Sequence, residues 1–412
     1  MASCNSSNGA IVVIVCPWAA FILFADPWGC GTMPMFVFFS RRSFHLTIIS
    51  VFSLTFFLFS SAPSVAEILI GLGGPLTGKL EWNGEEMDMG VQHAVDDLNA
   101  RGGVLGQSVR LIKVDDACNP EQAVAAAQKL ATDKVVMVVG HYCSSTSIAA
   151  RAVYTAHDIL MISPGSTATQ FTDEGGKNVF RLIGRDDQQG KVAADYLARD
   201  WGTKKIAILH DNDAYGKGLA QNTKTHLNAL NVHEVYFGGY TAAKSDYQQV
   251  VDQLKAHSVD VVYVGGYDED VSNLLLLALD QGLKFSLVSG DGISGKAFWL
   301  TAGASGQGTR FTFVPDYRKK PSALTAVENF RKENFEPGGY TLYAYAAVQV
   351  WAQAVEKVNS LNMDKVSDHM RKATYNTVLG EIGFDDKGDL TGIPGWSWYE
   401  WADGKFKPVG EQ

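Results

Sequence analysis

Positive charge is in short supply. The 412 residues carry 35 Lys and Arg against 44 Asp and Glu, a formal net charge of −9. Nucleic-acid binding needs a basic face, so that class of partner is excluded first. Cysteine is scarce as well, five in all, and Cys4, Cys16 and Cys30 fall within the first 66 residues. Glycine (41) and proline (12) are too few for a collagen-like or low-complexity chain, while a hydrophobic content of 46% is too high for disorder. No unbroken apolar run reaches the roughly 20 residues of a membrane-spanning helix. After position 66 there is no Walker loop, no H-E-x-x-H, no G-x-S-x-G and no Cys-x-x-Cys. A kinase, metalloprotease or serine hydrolase therefore has no anchor. The nearest approach to a dinucleotide fingerprint, Gly71-Leu72-Gly73-Gly74-Pro75-Leu76, has leucine where the sixth position requires glycine, and its proline stiffens the turn. It reads as a turn into a binding loop, and no cofactor is expected.

What the chain does have is apolar residues gathered at its N-terminus. One stretch, 10–24, is interrupted by Pro17; a second, 46–59, carries no charge. Arg41 and Arg42 precede the second, and Ser61-Ala62-Pro63-Ser64-Val65-Ala66 follows it, with small residues at −3 and −1 of a cut after Ala66. These are the parts of a secretory signal. Ser40-Arg41-Arg42-Ser43-Phe44 also fits a twin-arginine leader, although the very apolar run behind it favours the general secretory route. Met33 or Met35 would open a leader of ordinary length, leaving 1–32 outside the working protein; the other reading makes 10–24 an N-terminal membrane anchor. Position 67 is Glu67, so no lipid-bearing cysteine follows the cut. Past the leader only Cys118 and Cys143 remain. In an oxidising compartment they suggest one disulfide worth roughly 3 kcal/mol, with two buried thiols as the alternative.

From residue 67 onward, β-rich runs alternate with amphipathic helices. Strands are predicted over 68–72, 109–114, 135–139 and 160–163, with helices over 85–100, 120–131 and 145–157 between them. The pattern restarts after Arg185, with helices over 188–200, 216–230, 247–257 and 270–281 and strands over 206–210, 235–238, 259–265 and 285–289. This predicts an α/β fold with two Rossmann-like lobes of parallel sheet. A strand over 310–314, a helix-rich return over 324–371 and a Trp-rich tail of short strands around Asp385-Asp386-Lys387-Gly388 complete the chain.

In open parallel sheets ligands sit beyond the C-terminal ends of the strands. Two such ends carry similar chemistry. Gly140-His141-Tyr142-Cys143-Ser144-Ser145 and Ser163-Pro164-Gly165-Ser166-Thr167 both offer hydroxyls and free amides, and the first opens a helix, a combination suited to a carboxylate. Read singly, Ser144 and Thr167 are helix caps. The second block offers Tyr215, Tyr267 and Asp291 at its strand ends, where a lone acid among aromatics would pair with a ligand cation. Taken one at a time, the tyrosines are ordinary half-buried side chains. His141 with Cys143, and His210 with Asp211 and Asp213, lack the partners a metal site needs.

These residues carry a resemblance. Cys118 with Cys143, the Gly140–Ser145 run, Ser163-Pro164 with Thr167, His210-Asp211 with Tyr215-Gly216, and Gly265-Gly266-Tyr267 closely resemble the periplasmic leucine/isoleucine/valine-binding proteins of ABC importers, over nearly all of 67–412. Asn99-Ala100-Arg101-Gly102-Gly103 and Asp115-Asp116-Ala117-Cys118 belong to the same match. The resemblance implies a type I periplasmic binding fold with three crossings between lobes, placed here at 67–185 plus 315–394 and 186–314 plus 395–412. It implies a monomer that closes on a free amino acid and delivers it to permease subunits, without catalysis. By position, Ser144, Thr167 and the Gly165 backbone would hold the α-carboxylate. Asp291 would hold the α-ammonium, helped by the Gly165 carbonyl, and Tyr215 and Tyr267 would close from the far lobe. Tyr142, Trp82 or Asn83, and Tyr340 would line the side-chain pocket.

Two departures bear on the ligand. Branched-chain members of that family usually have glutamate where Asp291 stands and tyrosine where Asn83 stands. Tyr142 and Trp82 also make a bulkier, more polar pocket, which leaves the choice among branched-chain, other small neutral and aromatic amino acids open. An amide or urea receptor of the same fold is the alternative function, and a Rossmann-type oxidoreductase a more distant one.

Overall fold

The computed structural model describes residues 12–16, 19–23, 67–241, 247–393 and 395–410. It divides into two units, 1–64 and 65–412. In the first, β1 (Val12–Cys16) pairs antiparallel with β2 (Ala19–Leu23). Within the 10–24 stretch the described residues, 12–16 and 19–23, are thus strands of five residues and not helix. Its β-branched and aromatic residues favour extended backbone, and Pro17 would break a helix. The signal-like segment and its cut after Ala66 lie outside the described residues.

The second unit is built on two sheets. In the first sheet β3 (Ile68–Gly74) is followed by α1 (Glu81–Ala100), β4 (Val109–Asp115), α2 (Pro120–Thr132), β5 (Met137–Gly140), α3 (Ser144–Ala156), β6 (Leu160–Ser163), a single helical turn α4 (Gln170–Asp173) and β7 (Val179–Arg181). The strand order is β4-β3-β5-β6-β7, all parallel. Strands β5, β6 and β7 are buried at every residue, as expected for a sheet covered by helices on both faces. Asn119 starts α2 by accepting a hydrogen bond from the Gln122 amide, with Pro120 at the first helical position.

The second sheet follows through α5 (Asp186–Trp201), β8 (Ile206–His210), α6 (Ala214–Ala229), β9 (Tyr236–Gly239), α7 (Gln248–His257), β10 (Val261–Gly265), α8 (Asp268–Asp280), β11 (Ser286–Ser289), α9 (Lys296–Ala302) and β12 (Arg310–Phe313). The chain then returns to the first sheet: after α10 (Leu324–Lys332), α11 (Thr341–Val358) packs along α1. Past α12 (Met363–Met370) come β13 (Tyr375–Thr377), β14 (Gly380–Phe384) and β15 (Leu390–Thr391), a small antiparallel sheet. Finally β16 (Ser397–Ala402) and β17 (Lys405–Pro408) close the second sheet, whose order is β17-β16-β12-β11-β10-β8-β9. The backbone therefore passes between the two sheets three times, the arrangement expected of a two-lobed α/β fold.

Helix α1 begins a turn earlier than the expected 85, and Gly84 lies inside it because a Cβ there would stand 2.0 Å from the Pro75 carbonyl oxygen. The short elements α4 and β7 were not anticipated. Cys118 and Cys143 form the expected disulfide, their Cα atoms 5.7 Å apart, and it ties the entry to α2 to the start of α3.

Candidate functional site

Every candidate residue lies beyond the C-terminal end of a parallel strand or on a segment that packs against one. The loop after β5 and the loop after β6 are bolted together by buried hydroxyls. Ser163 Oγ donates to the His141 carbonyl at 2.7 Å, and Ser166 Oγ lies 2.7 Å from Ser147 Oγ and donates to the Tyr142 carbonyl at 3.0 Å. Beneath them the His141 ring is held between Asp116 at Nδ1 and the Tyr154 hydroxyl at Nε2, 2.9 Å away. His141 is thus consumed by a structural network and Cys143 by the disulfide. Among the described residues no group of three or more His, Cys, Asp and Glu is arranged to hold a metal ion.

On this platform Ser144 opens α3, and its Oγ accepts the Ala168 amide at 3.1 Å. Ser144 is therefore a brace between the two loops and not a cap of its own helix. The Ser145 hydroxyl is buried without a hydrogen-bond partner, and the Thr167 hydroxyl lies against the Asp186 carboxyl. The first-turn amides of α3 have no carbonyl within the helix to bond. Donors of this kind suit an anion. Gly165 sits beneath the Tyr142 ring; a Cβ there would stand 2.6 Å from Tyr142 Cδ2, so only glycine permits this contact.

Opposite lies Asp291, 3% exposed, on the turn after β11. Its Oδ1 accepts from Gln189 Nε2 and from the Tyr215 hydroxyl, each at 2.9 Å, and its Oδ2 from the Tyr340 hydroxyl at 3.1 Å. The Tyr215 oxygen also accepts the Gly292 amide at 2.9 Å, which fixes the ring. Tyr215 stacks obliquely on Tyr267, with ring centroids 5.1 Å apart; Tyr267 lies 6.3 Å from Tyr142, and Tyr142 meets Tyr340 edge-on at 4.9 Å. The four tyrosines thus form one wall linking the Gly165 loop to Asp291. Tyr340, expected to line the side-chain pocket, stands on Asp291 itself.

Three residues not singled out from sequence join this site. Gln189, on the first turn of α5, holds Asp291 and bonds Thr312 Oγ1 at 2.9 Å. Asp186, the first residue of α5, is fully buried, with the Thr167 hydroxyl beside its carboxyl. Its amide donates to the Thr167 carbonyl at 2.9 Å, which places it on the seam between the two halves of the site. Burial first, and then the negative charge of Asp291, push the Asp186 carboxyl far above the usual aspartate range, while the adjacent Thr167 hydroxyl and Arg181 act the other way. Asp291 is also raised by burial, against the opposing pull of Gln189, Tyr215 and Tyr340. Glu86, on α1, accepts from Trp82 Nε1 at 3.2 Å and from the Tyr340 amide at 3.4 Å; burial lifts it to about 7. The helix expected from 188 in fact begins at Asp186.

Trp82 and Asn83 separate clearly. Asn83 is buried, and the hydrogen bond described for it runs from its amide to the Leu80 carbonyl within its own turn. Trp82 reaches both Glu86 and, through its ring face, Lys296 Nζ at 3.9 Å. His210, Asp211 and Asp213 form the turn into α6. The Asn212 amide donates to His210 Nδ1 at 3.2 Å, the Asp213 amide to Asp211 Oδ1 at 2.9 Å, and Asp213 caps Tyr215. They position Tyr215 from behind.

A family model described as periplasmic binding protein matches residues 67–405. An amino acid binding protein from Pseudomonas aeruginosa is 41% identical over 350 residues, covering 84% of this chain and 93% of that protein. The Leu/Ile/Val-binding protein homolog 1 of Brucella suis is 40% identical over 348 residues, 84% of this chain and 94% of its own length. Among solved structures, the branched-chain amino acid transporter substrate binding protein LivJ from Streptococcus pneumoniae, in complex with isoleucine, is similar with a TM-score of 0.74 and 25% identity, over 83% of this chain and 98% of LivJ.

Proposed function

This chain belongs to the periplasmic binding protein family, and on that premise we propose that it is the extracytoplasmic receptor of an ABC importer, capturing a free amino acid between its lobes. The ligand carboxylate meets Thr167, Ser144, Ser145 and the first turn of α3, with the Gly165 backbone alongside. The ammonium meets Asp291 and the Gly165 carbonyl, and Asp186 supplies a second negative charge. Tyr215 and Tyr267 close over it from the second lobe, and Tyr142, Trp82, Asn83 and Tyr340 bound the side-chain pocket. The receptor binds without catalysis, acts as a monomer, and passes its cargo to membrane permease subunits. Export to the periplasm through the leader, with a cut after Ala66, is part of the same reading.

One observation carries it: Asp186, beside Thr167, and Asp291, among Gln189, Tyr215 and Tyr340, are both buried carboxylates. A pair of buried carboxylates is stable as anions only when a cation joins them, and the ammonium of an amino acid is such a cation. A neutral amide or urea would leave that charge standing, which disfavours the alternative receptor. A thermal-shift screen of the twenty amino acids, with acetamide and urea beside them, tests the assignment. At 100 times Kd a ligand adds about 2.7 kcal/mol to stability, a visible rise in midpoint. A shift with acetamide and none with any amino acid would refute it.

A further inference from the structure

Each lobe extends one lysine to the other across the mouth of the cleft. Lys79, on the loop between β3 and α1, places its Nζ 3.0 Å from Asp270 Oδ1 and 3.9 Å from Glu269 Oε1, both on α8 at the opposite sheet. Asp270 is 7% exposed at its side chain and also accepts from the Tyr247 hydroxyl, so the lysine meets a fixed, half-desolvated anion. The second lysine runs the other way. Lys296, the first residue of α9, lies with its Nζ 3.9 Å from the centre of the Trp82 ring on α1, within the range of a cation–π contact. The indole it rests on is fixed from below by Glu86, which also takes the amide of Tyr340, the tyrosine that stands on Asp291.

Because both lysines join segments that follow strands of different sheets, both contacts depend on closure. We propose that Lys79 and Lys296 form a reciprocal clasp that holds the cleft shut over its ligand and governs how fast the ligand leaves. Neither lysine lies in the binding site; they are positioning residues, one acting through α8 and the other through Trp82. The proposal rests on the amino-acid-capture reading above. Contacts made only after the lobes meet slow dissociation and leave the encounter untouched, so the effect falls on the off-rate. A half-exposed ion pair and a cation–π contact of this kind each correspond to about a two- to fivefold change in rate.

The test loads the protein with a uniformly ¹⁴C-labelled mixture of the twenty amino acids and follows release after dilution into an unlabelled chase. Lys79→Ala and Lys296→Ala should each release label about two- to fivefold faster, and the double variant roughly as the product of the two. The loading rate should be unchanged. Raising salt should speed release from the wild type toward that of Lys79→Ala, because a partly exposed pair is screened. Lys79→Arg should hold its label nearly as the wild type does. Unaltered thermal midpoints of the label-free alanine variants check that both fold. Release from the double variant at the wild-type rate, or a loss carried by slower loading, would overturn the clasp while leaving amino-acid capture intact. Failure of the wild type to retain any label would instead overturn the capture reading, and the clasp with it.

Discussion

Replacing Asp291 by asparagine separates binding from folding, because the two respond in opposite directions. Asparagine keeps the shape of the site: its Oδ1 accepts from Gln189 and Tyr215 as the carboxylate does, and its NH2 group turns the Tyr340 contact around by donating to the phenol. Only the charge is lost. Removing one partner of a buried, hydrogen-bonded ion pair costs about 2–5 kcal/mol, or about thirtyfold to several-thousandfold in Kd. Stability of the ligand-free protein moves the other way. The Asp291 carboxyl is raised above 3.8 by burial and repels Asp186. A folded-state pKa above the unfolded value means the anion destabilises the fold at neutral pH, and this penalty fades as pH falls through the folded-state value. Asp291→Asn should therefore raise the ligand-free thermal midpoint at pH 7 and shrink the gap between pH 7 and pH 5. Isothermal titration with the amino acid that gives the largest thermal shift, alongside calorimetric melts at both pH values, reads both effects. Unchanged affinity would refute the assignment of Asp291 to the ammonium, and a lowered midpoint at neutral pH would refute the reading of an uncompensated buried charge.

Other expectations follow from the same geometry. Thr167→Val removes a hydroxyl that otherwise meets only the buried Asp186 carboxyl, so affinity should weaken by about 1–1.5 kcal/mol, some five- to tenfold by calorimetry. Tyr142→Leu frees the space over Gly165 and should move selectivity toward larger aliphatic amino acids, read as the ratio of Kd for leucine to that for alanine. Acidification should weaken binding from a pH above the usual aspartate range, since Asp291 must lose its proton to meet the ammonium and burial makes that harder; a titration of Kd between pH 7 and pH 4 would follow it. Reducing the Cys118–Cys143 bond, or changing both residues to serine, should cost roughly 3 kcal/mol of stability in denaturant melts.

The alternation of strand and helix from 68 to 289 was legible because the strands are short, mostly apolar runs and each helix has a buried face, even though β4 carries Arg110 and Lys113. The disulfide was legible from the count of cysteines beyond residue 66. Elements held together by distant partners were not. Strand β7, three residues long, exists because Met161, Ile162 and Ser163 pair with it, and the Arg181 at its end is buried on Asp389, some two hundred residues away. Of the candidate site, the residues at strand ends were legible, since topology alone puts them beyond the C-terminal ends of the parallel strands. Asp186 and Gln189 were missed: an Asp-Asp-Gln-Gln run at a helix start carries no sign of which members face inward. Glu86 was missed because its partners, Trp82 one turn back and the Tyr340 amide far along the chain, meet only when α11 packs on α1.

The crowding of acids gives the site a reason to close only when filled. Asp186 lies beside Thr167 and Asp291 on the turn after β11, and both carboxylates are buried. Without a cation, closure strips water from two like charges and pushes at least one toward its protonated form, a cost of several kcal/mol. An ammonium between them removes most of that cost in the closed form alone, since in an open cleft water already screens the pair. Shifting an equilibrium from 1:99 to 99:1 takes about 5.5 kcal/mol of differential binding, and the relief of a buried carboxylate pair is of that order. On the reading proposed above, charge neutralisation at Asp186 and Asp291 would couple occupancy to shape. Asp186→Asn should weaken this coupling by letting the lobes approach without ligand. Small-angle scattering would register it as a smaller change in radius of gyration on adding the bound amino acid, with a more compact ligand-free state. A ligand-free radius equal to that of the wild type would show that something other than buried charge keeps the lobes apart.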